Sequence, residues 1–113
     1  MKVNINIKYK GKFKIVELTK TGFFRRGLGL MFRTRETDNL LFSFDKPCRV
    51  AITSWFVFFP FLAIWLDNKN SVVDMKVAKP FELAFRPKKP AKSLVELPLN
   101  AKNRDLIAFF VGK

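Results

Sequence analysis

Histidine is absent from the 113-residue chain, and cysteine occurs once, at Cys48. Without histidine there is no Ser-His-Asp or Cys-His catalytic arrangement, and a single cysteine supports neither a disulfide framework nor a zinc cluster. Acidic residues are also scarce: nine Asp and Glu stand against 22 Lys and Arg, which gives a formal net charge of +13. We therefore expect no metal and no cofactor, and the positive charge favours an anionic partner.

From the pattern of apolar residues we expect neither a secretory signal nor a membrane-spanning segment. Residues 3–9 alternate between apolar and polar side chains, so they do not form the apolar core of a secretory signal. The longest apolar run, residues 50–66, is interrupted by Pro60, and its aromatic content favours two buried strands over a spanning helix. We predict no membrane span and a cytoplasmic protein, which a lone cysteine also suits.

The N-terminal residues 2–18 have the period-two pattern of a β-hairpin. A three-residue loop at residues 10–12 would keep the apolar side chains of both strands on one face, because Tyr9 would then lie opposite Phe13. Beyond the start of the second strand the alternation shifts by one residue, which predicts a bulge near residues 15–16.

The rest of the chain consists of short apolar runs separated by turn residues, and no segment of ten or more residues has a clean helical period. We predict strands at residues 40–44, 49–59, 61–66, 71–77, 93–97 and 106–111, with one helical turn around residues 101–104. The predicted fold is one all-β domain over residues 1–113. It is a β-sandwich or jelly-roll-like barrel of antiparallel strands with an N-terminal hairpin over residues 1–18.

Four short motifs occur in a characteristic order. They are Gly29-Leu30-Met31-Phe32-Arg33, Leu41-Phe42-Ser43-Phe44, the segment from Pro60 to Asp67, and Val95-Glu96-Leu97-Pro98. In this order they resemble the domain of unknown function 192 family, and the resemblance covers about residues 20–111. It implies a jelly-roll-like β-sandwich and no particular activity, because none is established for the family.

The chain departs from the family pattern at three places. Leu62 stands where the family has an aspartate after the proline, Asn100 stands where it has a glycine, and Arg104-Asp105 replaces a Gly-Asp pair. If the missing aspartate belongs to a polar site, this chain has lost that site.

The resemblance singles out one candidate cluster: Gly29, Met31, Phe32, Arg33, Asp67 and Glu96. In one interpretation the Arg33 guanidinium binds an anion. In the other it pairs with Glu96 or Asp67 and braces the domain. The second interpretation is favoured, because buried ion pairs are often structural. The two carboxylates would serve acid–base chemistry, or Asp67 is a turn residue, and the turn is again favoured. An enzyme is therefore the least favoured function class.

The distribution of charge is more informative than any motif. Residues 1–35 carry ten lysines and arginines and one acidic residue. Candidate anion-binding residues are Lys8, Lys10, Lys12, Lys14, Arg25, Arg26 and Arg33. In the predicted hairpin Lys8 lies opposite Lys14, and such like-charge pairs cost stability. Lysines also protect exposed strands from aggregation, and a high charge content is typical of proteins adapted to heat.

Three function classes follow from these observations. The favoured one is a non-catalytic module whose basic face binds an anionic partner, including the backbone of RNA or DNA, with weak and salt-sensitive affinity. The second is a protein-interaction domain that uses the aromatic region at residues 55–59. The third is an enzyme with an arginine or carboxylate site.

Overall fold

A computed structural model of the chain describes residues 2–21, 38–49, 58–81 and 85–112. Strands dominate these residues, which confirms the all-β prediction. They are β1 (Lys2–Tyr9), β2 (Lys12–Thr21), β3 (Leu40–Cys48), β4 (Phe61–Leu66), β5 (Val72–Ala78) and β6 (Ala91–Pro98). A 3₁₀ helix (Ala101–Asn103) and one α-helix, α1 (Arg104–Val111), follow the last strand.

The six strands form one mixed sheet in the order β1-β2-β3-β6-β4-β5. The predicted all-antiparallel arrangement is wrong at one place, because β2 pairs with β3 in parallel from Thr19 to Thr21. The sheet curls until its two edge strands touch: the Lys8 N–H donates to the Asn70 carbonyl at 2.9 Å. All described strands thus belong to a single curled sheet, and a two-sheet sandwich remains a prediction.

The β1–β2 hairpin has a different turn from the predicted one. Its loop contains two residues, Lys10 and Gly11, whose φ angles of 52° and 78° are those of the tight primed turns that match strand twist. Tyr9 therefore lies opposite Lys12, not Phe13, and the register with β1 continues without a bulge from Lys12 to Thr19. The predicted three-residue loop and the bulge near residues 15–16 are both wrong.

The inner face of the curled sheet holds one of two apolar clusters. Its buried members are Ile7, Val16, Leu18, Leu41, Leu62, Ile64, Leu66, Val95, Leu97 and Phe110. The opposite face of β3, β4 and β6 holds the other, which includes Phe42, Phe61 and Trp65. All six residues of β4 are buried, because one set of alternate side chains enters each cluster.

The predicted strand at residues 106–111 is wrong, because this segment is the helix α1. Asn100 caps the preceding 3₁₀ helix by accepting a hydrogen bond from the Asn103 N–H at 3.0 Å, and Gly112 ends α1 with a φ of 83°. Phe110 is buried in the inner cluster, and Leu106 packs against that cluster one turn earlier. The segment is only eight residues long, so its helical period was too short to separate it from a strand.

The other predicted elements agree with the structure to within a few residues. The strand at 61–66 is confirmed, those at 71–77 and 93–97 shift or lengthen slightly, and the strand at 40–44 extends to Cys48. Most of the predicted strand at 49–59 lies outside the described residues, and its last two residues, Phe58 and Phe59, are not in a strand. The helical turn predicted around residues 101–104 is present as the 3₁₀ helix Ala101–Asn103.

The β4–β5 turn is organised by the carboxylate of Asp67. Its Oδ1 accepts hydrogen bonds from the backbone N–H groups of Lys69 at 2.8 Å and Ser71 at 3.0 Å. The Asp67 N–H donates to the Ser71 carbonyl, and the Asn70 N–H donates to the Asp67 carbonyl. Such bonds from a side chain to the following backbone define an Asx turn.

We predict that replacing Gly11 with alanine destabilises the protein by about 1–2 kcal/mol, because an L-residue there must adopt a left-handed conformation. A Cβ at position 11 meets no atom within 4 Å, so the cost comes from the backbone alone. Lys10→Asn is the matched variant: it keeps the turn and stabilises it by about 0.5 kcal/mol, because asparagine tolerates φ > 0. Urea unfolding measures both; equal stability of Gly11→Ala and the wild type would contradict the turn geometry.

We also predict that Asp67→Ala lowers the free energy of unfolding by about 1 kcal/mol, because two backbone N–H groups lose their acceptor. Asp67→Asn keeps an oxygen at the Oδ1 position and should change stability by less than about 0.5 kcal/mol. Thermal and urea unfolding of the two variants separate a hydrogen-bonding role from a role of the charge. A loss of equal size in both variants would show that the charge matters.

Candidate functional site

The turn geometry of the hairpin decides which side chains face solvent. Val3, Ile5, Ile7 and Tyr9 of β1 and Val16 and Leu18 of β2 face the inner cluster. The side chains between them form what we call the outer hairpin face: Lys2, Asn4, Asn6, Lys8, Phe13, Ile15, Glu17 and Thr19. This face contains two large apolar side chains that the core does not use, since Phe13 is 60% and Ile15 is 67% exposed.

Phe13 lies beside a lysine on this face. Lys8 is directly opposite it on β1, and the Lys8 Nζ lies over the Phe13 ring, 5.9 Å from its centroid. This distance is that of a cation–π contact, which holds the ammonium group against the ring and orients both groups. The ring nevertheless keeps most of its surface in solvent.

Four lysines, which we call the hairpin lysines, surround the turn: Lys8, Lys10, Lys12 and Lys14. Lys8 belongs to the outer hairpin face and Lys10 to the turn, whereas Lys12 and Lys14 lie opposite Tyr9 and Ile7. The predicted Lys8–Lys14 pair is therefore wrong, and the register removes that like-charge contact. Within the described residues no carboxylate forms an ion pair with any of the four.

A pocket of about 440 Å³ separates the hairpin turn from the last turn of α1. Lys10 and Lys12 line it from one side, and Phe109, Phe110 and Gly112 line it from the other. The Lys10 Nζ lies 5.2 Å from the centroid of the Tyr9 ring. Lys10 and Lys12 thus line a pocket at the carbonyl end of α1, the end of a helix that attracts cations.

The remaining basic candidates are arginines, and none of them belongs to the described residues. Arg25, Arg26 and Arg33 lie outside the described residues, as do three further members of the cluster singled out by sequence, namely Gly29, Met31 and Phe32. The interpretations of Arg33 as an anion-binding fork or as an internal brace therefore remain predictions.

The two carboxylates of that cluster lie apart along the sheet. Glu96 is 4% exposed on β6, between Leu40 of β3 and Ala63 of β4. Asp67 follows the end of β4, four positions beyond Ala63, which places its backbone about 13 Å from that level. The structure therefore does not bring Asp67 and Glu96 together, and it uses Asp67 in the β4–β5 turn.

Two of the three departures from the family pattern have a clear place in the structure. Leu62 is 1% exposed on the inner face, where it lies opposite Leu97 and joins the inner apolar cluster. Position 62 is thus part of the core in this chain. Asn100 has a φ of −134°, which any residue can adopt, and its side chain caps the 3₁₀ helix.

The aromatic region at residues 55–59 is described only at its end. Phe59 is buried, whereas Phe58 is 55% exposed and its ring lies edge-on to that of Phe81, with 5.5 Å between the centroids. Phe81 is also exposed, at 52%. Phe58 and Phe81 thus form an exposed aromatic pair, and both are distant in sequence from the hairpin lysines.

Sequence reasoning predicted the basic hairpin but missed its exposed apolar side chains. The predicted three-residue loop put Phe13 on the apolar face of the hairpin, opposite Tyr9, whereas the structure leaves it 60% exposed on the other face. The sequence contained a signal for this exposure. In a strand, Val16 and Leu18 face one side of the sheet and Phe13 and Ile15 the other, so only one of these two pairs can face inward. A Lys-Gly turn with two left-handed residues selects Val16 and Leu18.

The described residues contain neither a metal-binding cluster nor a membrane-spanning helix. No group of three or more histidine, cysteine, aspartate or glutamate side chains lies close enough to hold a metal ion in the part of the chain that the structure describes. Among the same residues, no helix has the length and apolar character needed to cross a membrane.

Two relatives that match most of this chain are UPF0127 proteins. A UPF0127 protein from Thermococcus kodakarensis is 31% identical over 109 residues, which covers 89% of this chain and 66% of that protein. A UPF0127 protein from Pyrococcus abyssi is 28% identical over 99 residues, which covers 86% of this chain and 80% of that protein. This chain thus spans just under two thirds of the Thermococcus relative.

Two solved structures share the fold. A protein of unknown function from Novosphingobium aromaticivorans DSM 12444 superposes with a TM-score of 0.75 at 15% identity, covering 93% of this chain and 78% of that one. A proposed transcription regulator from Sinorhizobium meliloti 1021 superposes with a TM-score of 0.73 at 19% identity, covering 93% of this chain and 84% of that one. At these identities the likeness concerns the fold. The family model of DUF192, described as uncharacterized ACR, matches residues 5–107, and the chain therefore belongs to the DUF192 family.

Proposed function

We propose that this protein is a non-catalytic binding module whose N-terminal hairpin binds a polyanion, with nucleic-acid backbone as the partner class. One observation carries the proposal: the four hairpin lysines surround one turn, and no described carboxylate neutralises them. Phosphates bound by lysines release condensed counterions, which gives sequence-independent affinity that falls steeply with salt.

The lysines are concentrated in the hairpin, which favours a binding role over a general role of positive charge in solubility. Glu17 is the one acidic residue between Lys2 and Thr21, whereas that segment contains six lysines. Lysines concentrated in this way raise the local concentration of anions and speed their association. Lysines dispersed evenly over the surface for solubility would not produce such a concentration.

Protection of a strand edge does not account for every hairpin lysine. Lysines on an open edge block pairing with other chains. At Lys8, however, the edge of β1 is already covered, because its N–H donates to the Asn70 carbonyl of the β4–β5 turn. The Lys8 side chain instead projects over Phe13, where it is available to a ligand on the outer hairpin face.

The proposal predicts that neutralising the four hairpin lysines to glutamine weakens binding to a fluorescent single-stranded DNA at least about tenfold at roughly 50 mM salt. The slope of log affinity against log salt should become shallower by up to about 3, since each lost phosphate contact removes about 0.7. Fluorescence anisotropy over a salt series measures both quantities.

A matched variant separates the location of charge from its amount. Lysines at four exposed positions elsewhere are changed to glutamine: Lys46, Lys69, Lys88 and Lys89. This variant has the same net charge as the hairpin variant and should keep most of the wild-type affinity. Equal losses in the two variants would contradict a hairpin site, and no association of the wild-type protein at low salt would remove the proposal.

A further inference from the structure

We propose that the outer hairpin face binds single-stranded nucleic acid in preference to duplex, with a base stacked on the ring of Phe13. This inference rests on the proposed function, and it adds a ligand class and a contact that lysines alone do not provide. It concerns Phe13, Ile15 and Asn6, none of which is needed to bind phosphate.

The exposure of Phe13 is the first argument. A phenylalanine ring is among the side chains that gain most from burial, yet this one is 60% exposed in a regular strand pair beside the hairpin turn. Its only cation–π partner in the described structure, Lys8, lies 5.9 Å from the ring centroid and leaves most of the ring open. An open aromatic ring stacks on any base, because every base has a π face.

The neighbours of Phe13 are the second argument. Ile15 lies two residues further on the same face, about 7 Å away along the strand, and is 67% exposed. Asn6 lies directly opposite Ile15, and its amide has both donors and acceptors for the edge of a base. The face thus places an apolar platform and an amide next to Lys8, and Lys10 follows two residues later in the turn.

This combination fits an unpaired strand and not a duplex. In a duplex the faces of the bases are stacked on one another, so a flat sheet face can contact only phosphates and groove edges. In a single strand the bases turn outward and stack on aromatic side chains while lysines contact the backbone. An acidic protein segment would use the lysines but would gain little from the Phe13 ring.

The test compares three labelled probes of roughly twelve nucleotides: a single-stranded DNA, its duplex, and a strand of the same length whose sugars carry no bases. We expect the wild-type protein to bind the single strand more tightly than the other two. Phe13→Ala should weaken single-strand binding roughly 5- to 150-fold, the range for loss of one stacked base, and leave the baseless strand within twofold.

Two control variants accompany Phe13→Ala, and circular dichroism melting checks that each is folded. Phe13→Trp keeps an aromatic platform and should retain or increase the affinity. Phe81→Ala removes another half-exposed phenylalanine, outside the hairpin, and should not change it. A loss in Phe81→Ala equal to that in Phe13→Ala would overturn the stacking proposal.

The outcomes also separate this inference from the proposed function. If all three probes bind with salt-dependent affinity and Phe13→Ala affects none, the polyanion site stands and the stacking proposal fails. If no probe binds at low salt, both fail. Binding of the duplex tighter than the single strand would overturn the preference proposed here, and a base-dependent loss confined to Phe13→Ala would support it.

Discussion

The register of the β1–β2 hairpin depends on two left-handed residues, Lys10 and Gly11. A shift of one residue in this register would exchange the two faces of β2 and turn Val16 and Leu18 outward. Both are buried in the inner cluster at 1% exposure, and each contributes about 1.5–3 kcal/mol by burial. The same turn that buries these two side chains places Phe13 and Ile15 in solvent, so the core and the outer hairpin face have a common origin.

The centre of the sheet is subject to a different constraint, which is burial on both faces. β4 contributes Leu62, Ile64 and Leu66 to the inner cluster and the side chains between them to the opposite cluster. Its uninterrupted hydrophobicity therefore results from its position between β6 and β5. A strand in this position has no polar face to offer, so polar side chains that face solvent must come from other parts of the sheet and from the turns.

The parts of the fold that depend on local patterning were predictable from the sequence. Alternation identified β1, and the apolar run between Pro60 and Asp67 identified β4. The parallel pairing of β2 with β3 was not predictable, because strand partners distant in sequence leave no local signal. The helix α1 was missed because eight residues with several large apolar side chains fit a short strand equally well.

Likewise, the sequence predicted only part of the candidate site. The concentration of lysines in the first residues is a property of composition, and the sequence revealed it directly. The exposure of Phe13 is a property of register, and register depends on the length of one turn, which the pattern of apolar residues alone did not determine.

The position of β6 has a consequence for the order of assembly. This strand is the sixth and last of the described strands along the chain but lies between β3 and β4, where it hydrogen-bonds to both. During synthesis, β3 and β4 emerge before the strand that joins them, and their apolar side chains cannot pack against β6 until residues 91–98 are synthesised. The pairing of β3 and β4 through β6 can therefore form only after translation has passed Pro98.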